Sequence, residues 1–307
     1  MNSQPSYPIG TLLQPWGAAE RAQWLSRQRR QRSYEADVIS AIERLRARFD
    51  VASYGSVDVA DESYPLFSIR SRDWQDDLRS VLVTGGVHGY ETSGVHGALQ
   101  FLERHAADYA GRVNLLVAPC VSPWAYERVQ RWNSQAIDPN RSFREDSPVP
   151  ESAALMRLAA SLGERVLVHI DLHETTDTDA SEFTPARAAR DGNPFEHETI
   201  PDGFYLCGDS ANPQLAFQQA IIDAVAKVTH IAPADAAGEI IGSTVVAPGV
   251  ILYDYTSLGL CAGVTRARYT TTTEVYPDSP RASAEQCNEA QAVAVCAAIE
   301  FALSFGG

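Results

Sequence analysis

The stretch VLVTGGVHGYETSG, residues 81–94, decides how the rest of the chain is interpreted. Apolar and β-branched residues run into a pair of glycines, so the pattern predicts a buried strand that ends in a sharp turn. His88 and Glu91 follow within that turn. At this spacing an imidazole nitrogen and a carboxylate oxygen can both lie about 2 Å from one ion, as zinc prefers. Taken alone, so short a motif predicts a surface His–Glu contact more often than a metal site, so the metal interpretation depends on a third ligand elsewhere in the chain.

A second apolar run, in ERVLVHIDLHETT, is expected to supply the third metal ligand, because ligands in open α/β sheets gather at the carboxyl ends of strands. The run predicts a buried strand with His169, Asp171 and His173 on one face, by the two-residue period. His173 lies beyond the apolar run and is the preferred ligand. His169 lies inside it, where a satisfied core histidine is commoner, and is the competing candidate. Two histidines and a glutamate leave a fourth zinc position for water, which is a catalytic arrangement.

With these residues in place, the chain resembles the zinc carboxypeptidases, the funnelin metallopeptidases, whose pattern is H-x-x-E followed much later by a single His. It is also similar to the succinylglutamate desuccinylases and aspartoacylases, because GGVHGYE and DLHETT look like their GG-x-HG-x-E and DLH-x-TT. The resemblance covers residues 81–280. It implies an α/β fold with a mixed central sheet of about eight strands and helices on both faces. One Zn²⁺ per chain is expected, held by His88, Glu91 and His173.

The segment RWNSQAIDPNRSF is similar to the part of the carboxypeptidase family that handles the substrate. By composition alone it predicts a solvated loop with ordinary arginines. The resemblance implies instead that Arg131 polarises the scissile carbonyl and that Asn140 and Arg141 hold a substrate carboxylate. A guanidinium suits the second task because it donates two parallel hydrogen bonds to a carboxylate. Asp138 resembles the family's aspartate that accepts a hydrogen bond from a zinc-bound imidazole, here His88.

Three further residues complete the predicted site. On a Thr-rich strand predicted over residues 268–275, T-x-E resembles the family's general base. Glu274 is therefore expected to take that role, and Thr272 to lie near the specificity pocket. Tyr255, in the preceding segment, is predicted to bind substrate. Without the resemblance, a single glutamate on a strand is ordinarily exposed and has no special role.

The composition limits the class of protein. A net charge of −14 argues against binding to nucleic acid or to an anionic membrane, for which a basic face is the usual footprint. No run approaches the roughly 18 apolar residues of a membrane span. Five cysteines without a C-x-x-C pair predict buried free thiols in a reducing compartment. The first residues, MNSQPSYPIG, lack the basic and apolar regions of a signal peptide, so a cytoplasmic location is expected.

The chain is expected to have two parts. Residues 1–50 are predicted to be irregular up to residue 15 and then helical, packed on a catalytic domain that spans residues 51–307. Within the first part, RQRRQR, residues 27–32, predicts a solvated or oligomer-contacting helix face, with a nucleic-acid arm as the less favoured alternative.

The polar stretch 174–202 predicts a functional rim or lid, because so long a loop in a compact domain usually has a role. Its acidic residues are expected to be solvated, and a second cation is the less favoured alternative, since no ordered calcium-loop spacing is present. The residues that would hold such a cation are Glu174, Asp177, Asp179 and Glu182.

Three functions fit these features. A zinc-dependent carboxypeptidase, which removes C-terminal residues from peptides by metal-activated water, is favoured. The chain after Glu274 is long enough for one helix, as in the carboxypeptidases, and too short for the extra β-domain of the aspartoacylase-like relatives. A zinc-dependent N-acyl amino acid deacylase is the second hypothesis, and a non-catalytic metal- or peptide-binding homologue is the third. Either enzyme would take a substrate with a free carboxylate; the oligomeric state is left open.

Overall fold

The structure is a computed structural model that describes residues 7–305, so the irregular chain predicted for residues 1–6 lies outside it. The N-terminal part contains helix α1 (Ala18–Arg27), a π-helical turn (Glu35–Ile39) and helix α2 (Ser40–Leu45). Trp24, Val38 and Ile42 are buried in the same hydrophobic core as the central strands. The N-terminal segment therefore packs on the rest of the fold. The boundary at residue 50 between this segment and the domain that follows stays a prediction.

Within residues 7–305, eight strands form the central sheet and two more form a small hairpin. The strands are β1 (Phe49–Val59), β2 (Glu62–Ser71), β3 (Ser80–Gly85), β4 (Asn114–Ala118), β5 (Val166–Glu174), β6 (Tyr205–Asp209), β7 (Glu239–Ile240), β8 (Ser243–Thr244), β9 (Val250–Tyr253) and β10 (Tyr269–Val275). The order across the sheet is β1-β2-β4-β3-β5-β10-β6-β9.

The strand directions confirm the predicted mixed sheet. β1 and β2 pair antiparallel at one edge, and β2 pairs antiparallel with β4. The four central strands β4, β3, β5 and β10 run parallel to one another, whereas β6 runs antiparallel to β10. Parallel strands end at the same edge of a sheet. The carboxyl ends of β3, β5 and β10 therefore meet there.

Helices cover both faces of this sheet. They are α3 (Thr92–Arg104), α4 (Pro123–Arg128), α5 (Pro150–Ala160), α6 (Thr184–Asp191), α7 (Leu215–Val225), α8 (Tyr255–Leu258) and α9 (Ala284–Phe305). Successive strand residues point to opposite faces. Val83 accordingly packs in the core that contains Val95 of α3, and its neighbour Leu82 packs with Leu116 and Ala159 of α5.

Two local predictions are wrong. RQRRQR is not a helix face, because α1 ends at Arg27 and Gln28 is already extended, with φ −69° and ψ 134°. The stretch 174–202 is not one long loop, because it contains a π-helical turn (Asp179–Phe183) that leads into α6.

All five cysteines are free thiols. Among the described helices, none combines the length and the apolar character needed to cross a membrane.

Candidate metal centre and active site

The loop after β3 presents His88 and Glu91 from a tightly packed turn. A Cβ on Gly85 would lie 2.4 Å from the carbonyl oxygen of Gly94, so no side chain fits there. Gly86 has a φ of +61°, which favours glycine. Glu91 immediately precedes α3. Both ligand side chains are buried, and His88 Nδ1 lies 2.7 Å from Glu91 Oε1.

β5 brings His173 to the same point. Its Nδ1 lies 2.7 Å from Glu91 Oε2, and the two imidazole rings have centroids 5.0 Å apart. One ligand atom from each of His88, Glu91 and His173 lies within 4.8 Å of the other two. Glu91 Oε2 is buried and accepts no well-directed hydrogen bond from the part of the chain that the structure describes. A cation among these atoms would satisfy that oxygen, and two histidines with one carboxylate are a donor set of catalytic zinc.

Two aspartates orient the imidazoles from behind. His88 Nε2 lies 2.9 Å from Asp138 Oδ1, and His173 Nε2 lies 2.7 Å from Asp171 Oδ2. Each ring therefore points its Nδ1 at Glu91. A carboxylate that contacts the other ring nitrogen commonly orients a metal-binding histidine in this way. The contact between His88 and Asp138 is the one that the resemblance implies. Asp171 was not assigned this part, although its position two residues before His173 places both on one face of the strand.

Carboxylates outnumber imidazoles in the buried centre. Burial raises the pKa of Glu91, but His173 and His88 outweigh burial and lower the pKa to about 2. Burial lowers the pKa of His173, whereas the carboxylates of Glu91 and Asp171 raise it well above its ordinary value. Three carboxylates, those of Glu91, Asp138 and Asp171, thus surround two imidazoles, and Arg131 pairs with the carboxylate of Asp138. Buried charge is costly unless it is neutralised, so the centre is suited to a cation.

His169, the competing candidate, does not reach this centre. It lies inside β5, fully buried, with its Nε2 3.2 Å from Thr84 Oγ1 and its Nδ1 3.4 Å from Thr265 Oγ1. Burial lowers its pKa to about 4. It is therefore a core histidine held by two hydroxyls, and the cluster found among the described residues contains His173 instead.

A cavity of about 110 Å³ adjoins the cluster. Glu274 lines it from β10, where it pairs with His173 of the neighbouring strand. Its Oε2 accepts a hydrogen bond of 2.9 Å from Thr175 Oγ1, which also lies 2.7 Å from the hydroxyl of Tyr205. Burial raises the pKa of Glu274 to about 8, with the nearby charge of Glu91 also raising it. The wall contains four more of the predicted residues: Arg131, Asn140, Arg141 and Thr272.

Arg131 is held in place by two acidic partners. Its Nε donates to Asp138 Oδ2 at 3.1 Å, and its Nη1 lies 3.2 Å from both Asp179 Oδ1 and the hydroxyl of Tyr90. Tyr90 in turn donates to Asp179 at 2.7 Å. Asp179 was expected to be one of several solvated carboxylates, and Tyr90 was not singled out. Together they fix a guanidinium in the cavity wall.

The predicted carboxylate anchor has two unlike members. The Asn140 side chain is largely engaged, since its Oδ1 accepts from the backbone N–H of Cys261 at 2.8 Å and its Nδ2 lies 3.4 Å from His173 Nε2. Arg141 donates only to the backbone oxygen of Asn140, at 2.7 Å, among the described residues. Its guanidinium has no acidic partner there. Arg187 of α6, which was not predicted, also lines the cavity.

Tyr255 does not line the cavity, contrary to the prediction. Asp254 accepts a hydrogen bond of 3.0 Å from the backbone N–H of Ser257 and so begins α8. The turn directs Tyr255 into the interior, where its hydroxyl donates to the backbone oxygen of Cys207. Tyr253, two residues earlier on β9, lines the cavity instead. The start of this short helix was not predicted, so the two tyrosines could not be separated from the sequence.

The four acidic residues considered for a second cation have separate partners and form no cation cluster among residues 7–305. Glu174 is buried and accepts from the backbone N–H groups of Thr92 and Ser93, at 3.0 and 2.6 Å. It therefore holds the start of α3, next to Glu91. Asp177 accepts from the hydroxyl of Tyr276 and Glu182 from that of Tyr7, and Asp179 binds Arg131.

The family comparison covers the candidate metal ligands. Residues 77–198 match the family model described as the succinylglutamate desuccinylase/aspartoacylase catalytic domain. This span includes His88, Glu91 and His173 and ends before Glu274. No functionally curated protein matches the sequence.

Solved structures share the fold at low sequence identity. A candidate metallopeptidase from Shewanella denitrificans is 20% identical with a TM-score of 0.63, over 86% of this chain and 88% of that one. A metallo-carboxypeptidase from Pseudomonas aeruginosa, in complex with (2-guanidinoethylmercapto)succinic acid, is 15% identical with a TM-score of 0.57, over 94% and 70%. Thrombin activatable fibrinolysis inhibitor is 12% identical with a TM-score of 0.59, over 95% of this chain and 75% of that one. The chain thus has the carboxypeptidase-like fold, and its three clustered ligands lie in a segment that matches the succinylglutamate desuccinylase/aspartoacylase catalytic domain.

Proposed function

We propose that this chain is a zinc-dependent carboxypeptidase that removes C-terminal residues from peptides. The observation that supports peptides as substrates is a groove of about 770 Å³ beside the catalytic cavity. Cavity and groove share Thr184, Arg187, Glu198 and Ile241 in their walls. A small acylated amino acid needs only the cavity, whereas a peptide also needs room for the residues before the scissile bond. The carboxypeptidase-like fold agrees with this substrate.

The residues around the cavity have complementary parts in such a reaction. Zinc held by His88, Glu91 and His173 would supply Lewis acidity, which lowers the pKa of water and polarises a carbonyl. Glu274 accepts the proton of the attacking water at its carboxylate and returns it to the nitrogen of the leaving amine. Arg131 donates hydrogen bonds to the carbonyl oxygen as negative charge develops on it.

Arg141 holds the carboxylate of the substrate in this proposal. Its guanidinium lines the cavity without an acidic partner among the described residues, so its remaining N–H groups are available for a bidentate contact. The Asn140 amide carries two hydrogens, of which one faces His173. The other is available for the same carboxylate. Thr272 and Tyr253 line the cavity and would contact the side chain of the leaving residue.

Arg141→Lys is expected to lower kcat/KM on peptides with a free C-terminal carboxylate, because lysine keeps the charge but loses the planar fork. The loss corresponds to roughly 1.5–3 kcal/mol of transition-state stabilisation. Amidated peptides should be poor substrates of the wild type and should be little affected by the substitution. The measurement is kcat/KM for matched free-acid and amidated peptides. Arg144→Lys, which changes an exposed arginine outside the cavity wall, is the control. Equal cleavage of both peptides by the wild type would give Arg141 another role.

The second candidate is an N-acyl amino acid deacylase, which the family match over residues 77–198 favours. A screen of zinc-loaded protein against di- to pentapeptides and against N-acetyl- and N-succinyl-amino acids separates the candidates. We expect release of C-terminal residues from the peptides. Efficient hydrolysis of the acylated amino acids with no release from peptides would replace the proposal with the deacylase. Zinc binding without hydrolysis of either class would instead indicate a non-catalytic homologue.

A further inference from the structure

Arg32, in the motif RQRRQR, contacts the metal-binding turn from the N-terminal segment. Its Nη1 donates to Thr92 Oγ1 at 2.6 Å, and its Nη2 donates to the backbone oxygen of Gly89. Gly89 directly follows His88 in the chain, and Thr92 directly follows Glu91. One guanidinium therefore bonds immediately after each of the two ligands that this turn supplies.

The same guanidinium joins the turn to helix α4. Arg32 Nε donates to the backbone oxygen of Tyr126 at 2.6 Å, and its guanidinium carbon lies 4.0 Å from the centroid of the Tyr126 ring. The turn lies directly on this helix, because a Cβ on Gly89 would be 2.1 Å from the carbonyl carbon of Ala125 and from the backbone nitrogen of Tyr126. Arg32 thus bridges turn and helix where they are closest.

The backbone that carries Arg32 is anchored by other contacts. Gln31 N–H donates to the backbone oxygen of Glu127 at 2.7 Å, and Tyr34 N–H donates to Glu127 Oε1 at 3.0 Å. Arg30 forms ion pairs of 2.6 Å with both Glu127 and Glu62. None of these contacts involves the metal-binding turn. Substitutions can therefore remove the contacts that anchor the segment without removing the hydrogen bonds of Arg32 to the turn, and the reverse.

We propose that Arg32 is a positioning residue of the metal centre, which holds the turn 88–92 so that His88 and Glu91 converge on one ion. The three acceptors lie around a planar fork of N–H donors, an arrangement that an ammonium group does not reproduce. Substitution of a group that orients a metal ligand typically lowers metal affinity by about 10–100-fold. The inference rests on the metal site of the proposed function and is independent of the substrate.

The test is the zinc affinity of the purified full chain, measured by competition with a chelator and without substrate. Arg32→Lys is expected to weaken zinc binding by about tenfold or more, because its ammonium cannot replace the contacts to both sides of the turn. Arg30→Ala removes the neighbouring ion pairs and should lower Tm while leaving zinc affinity unchanged. Arg29→Ala is the matched surface control, since among residues 7–305 that side chain bonds only to the backbone oxygens of Ser26 and Gln28.

The proposal is overturned if Arg32→Lys binds zinc as tightly as the wild type. It is also overturned if Arg30→Ala loses as much zinc affinity as Arg32→Lys, because the segment would then act through stability alone. Thr92→Val supplies a second measurement that leaves Arg32 in place. It should weaken zinc binding in the wild type and add little to Arg32→Lys. If the variants show these zinc affinities but the wild type cleaves no peptide, the carboxypeptidase proposal is wrong and the role of Arg32 is still supported.

Discussion

Glu274→Gln is expected to abolish turnover while leaving the metal bound. Glutamine keeps the shape of the side chain and can still accept the hydrogen bond from Thr175, but it cannot take up and return a proton. Loss of a general acid–base group typically costs about 10²–10⁴-fold in rate. Glu274 does not belong to the clustered ligands, so the zinc content should remain that of the wild type.

The measurement combines kcat on a good peptide substrate with elemental analysis and Tm. Glu182→Gln is the matched control, because it makes the same chemical change at an exposed carboxylate that accepts a hydrogen bond from Tyr7. It should keep both activity and metal. A Glu274→Gln enzyme with kcat within about tenfold of the wild type would show that another group carries the proton.

The cluster of candidate metal ligands could be predicted because short-range spacing determines its geometry. His88 and Glu91 lie within one turn, and His173 lies at the end of an apolar run whose strand had to end at the site. Asp171 could have been assigned from the same period, since alternate residues of a strand share a face. The strands that carry the candidate ligands, β3 and β5, were predictable for the same reason, because their apolar patterns are local.

The partners of these residues could not be predicted, because they come from distant parts of the chain. Asp179 reaches Arg131 only because α6 and the π-helical turn before it pack beside the cavity, and both were expected to be loop. Arg32 reaches Gly89 across 57 positions of sequence, from a motif that was expected to face solvent or a second copy. Composition identifies an arginine as charged and long, but only the packing decides which carbonyl it contacts.

His173→Ala is expected to remove about one equivalent of zinc per chain, whereas His169→Ala should leave the zinc content unchanged. The first substitution leaves Glu91 with one imidazole in a buried centre and deletes one of three converging ligands. The second deletes a buried ring that contacts Thr84 and Thr265, so it should lower stability without reaching the metal. Both variants remove the same side chain from the same strand, which makes each the control of the other.

Elemental analysis and Tm with and without added zinc distinguish the two effects. A ligand that binds only the folded state stabilises it by about 2.7 kcal/mol at a hundred times its Kd. Zinc should therefore raise the Tm of the wild type and of His169→Ala and leave that of His173→Ala almost unchanged. Treatment with a chelator should bring the wild type to the behaviour of His173→Ala, because it removes the same ion. If His169→Ala lost the zinc and His173→Ala kept it, the ion would have to lie deeper in β5, and the cluster around Glu91 would be held together by its own hydrogen bonds.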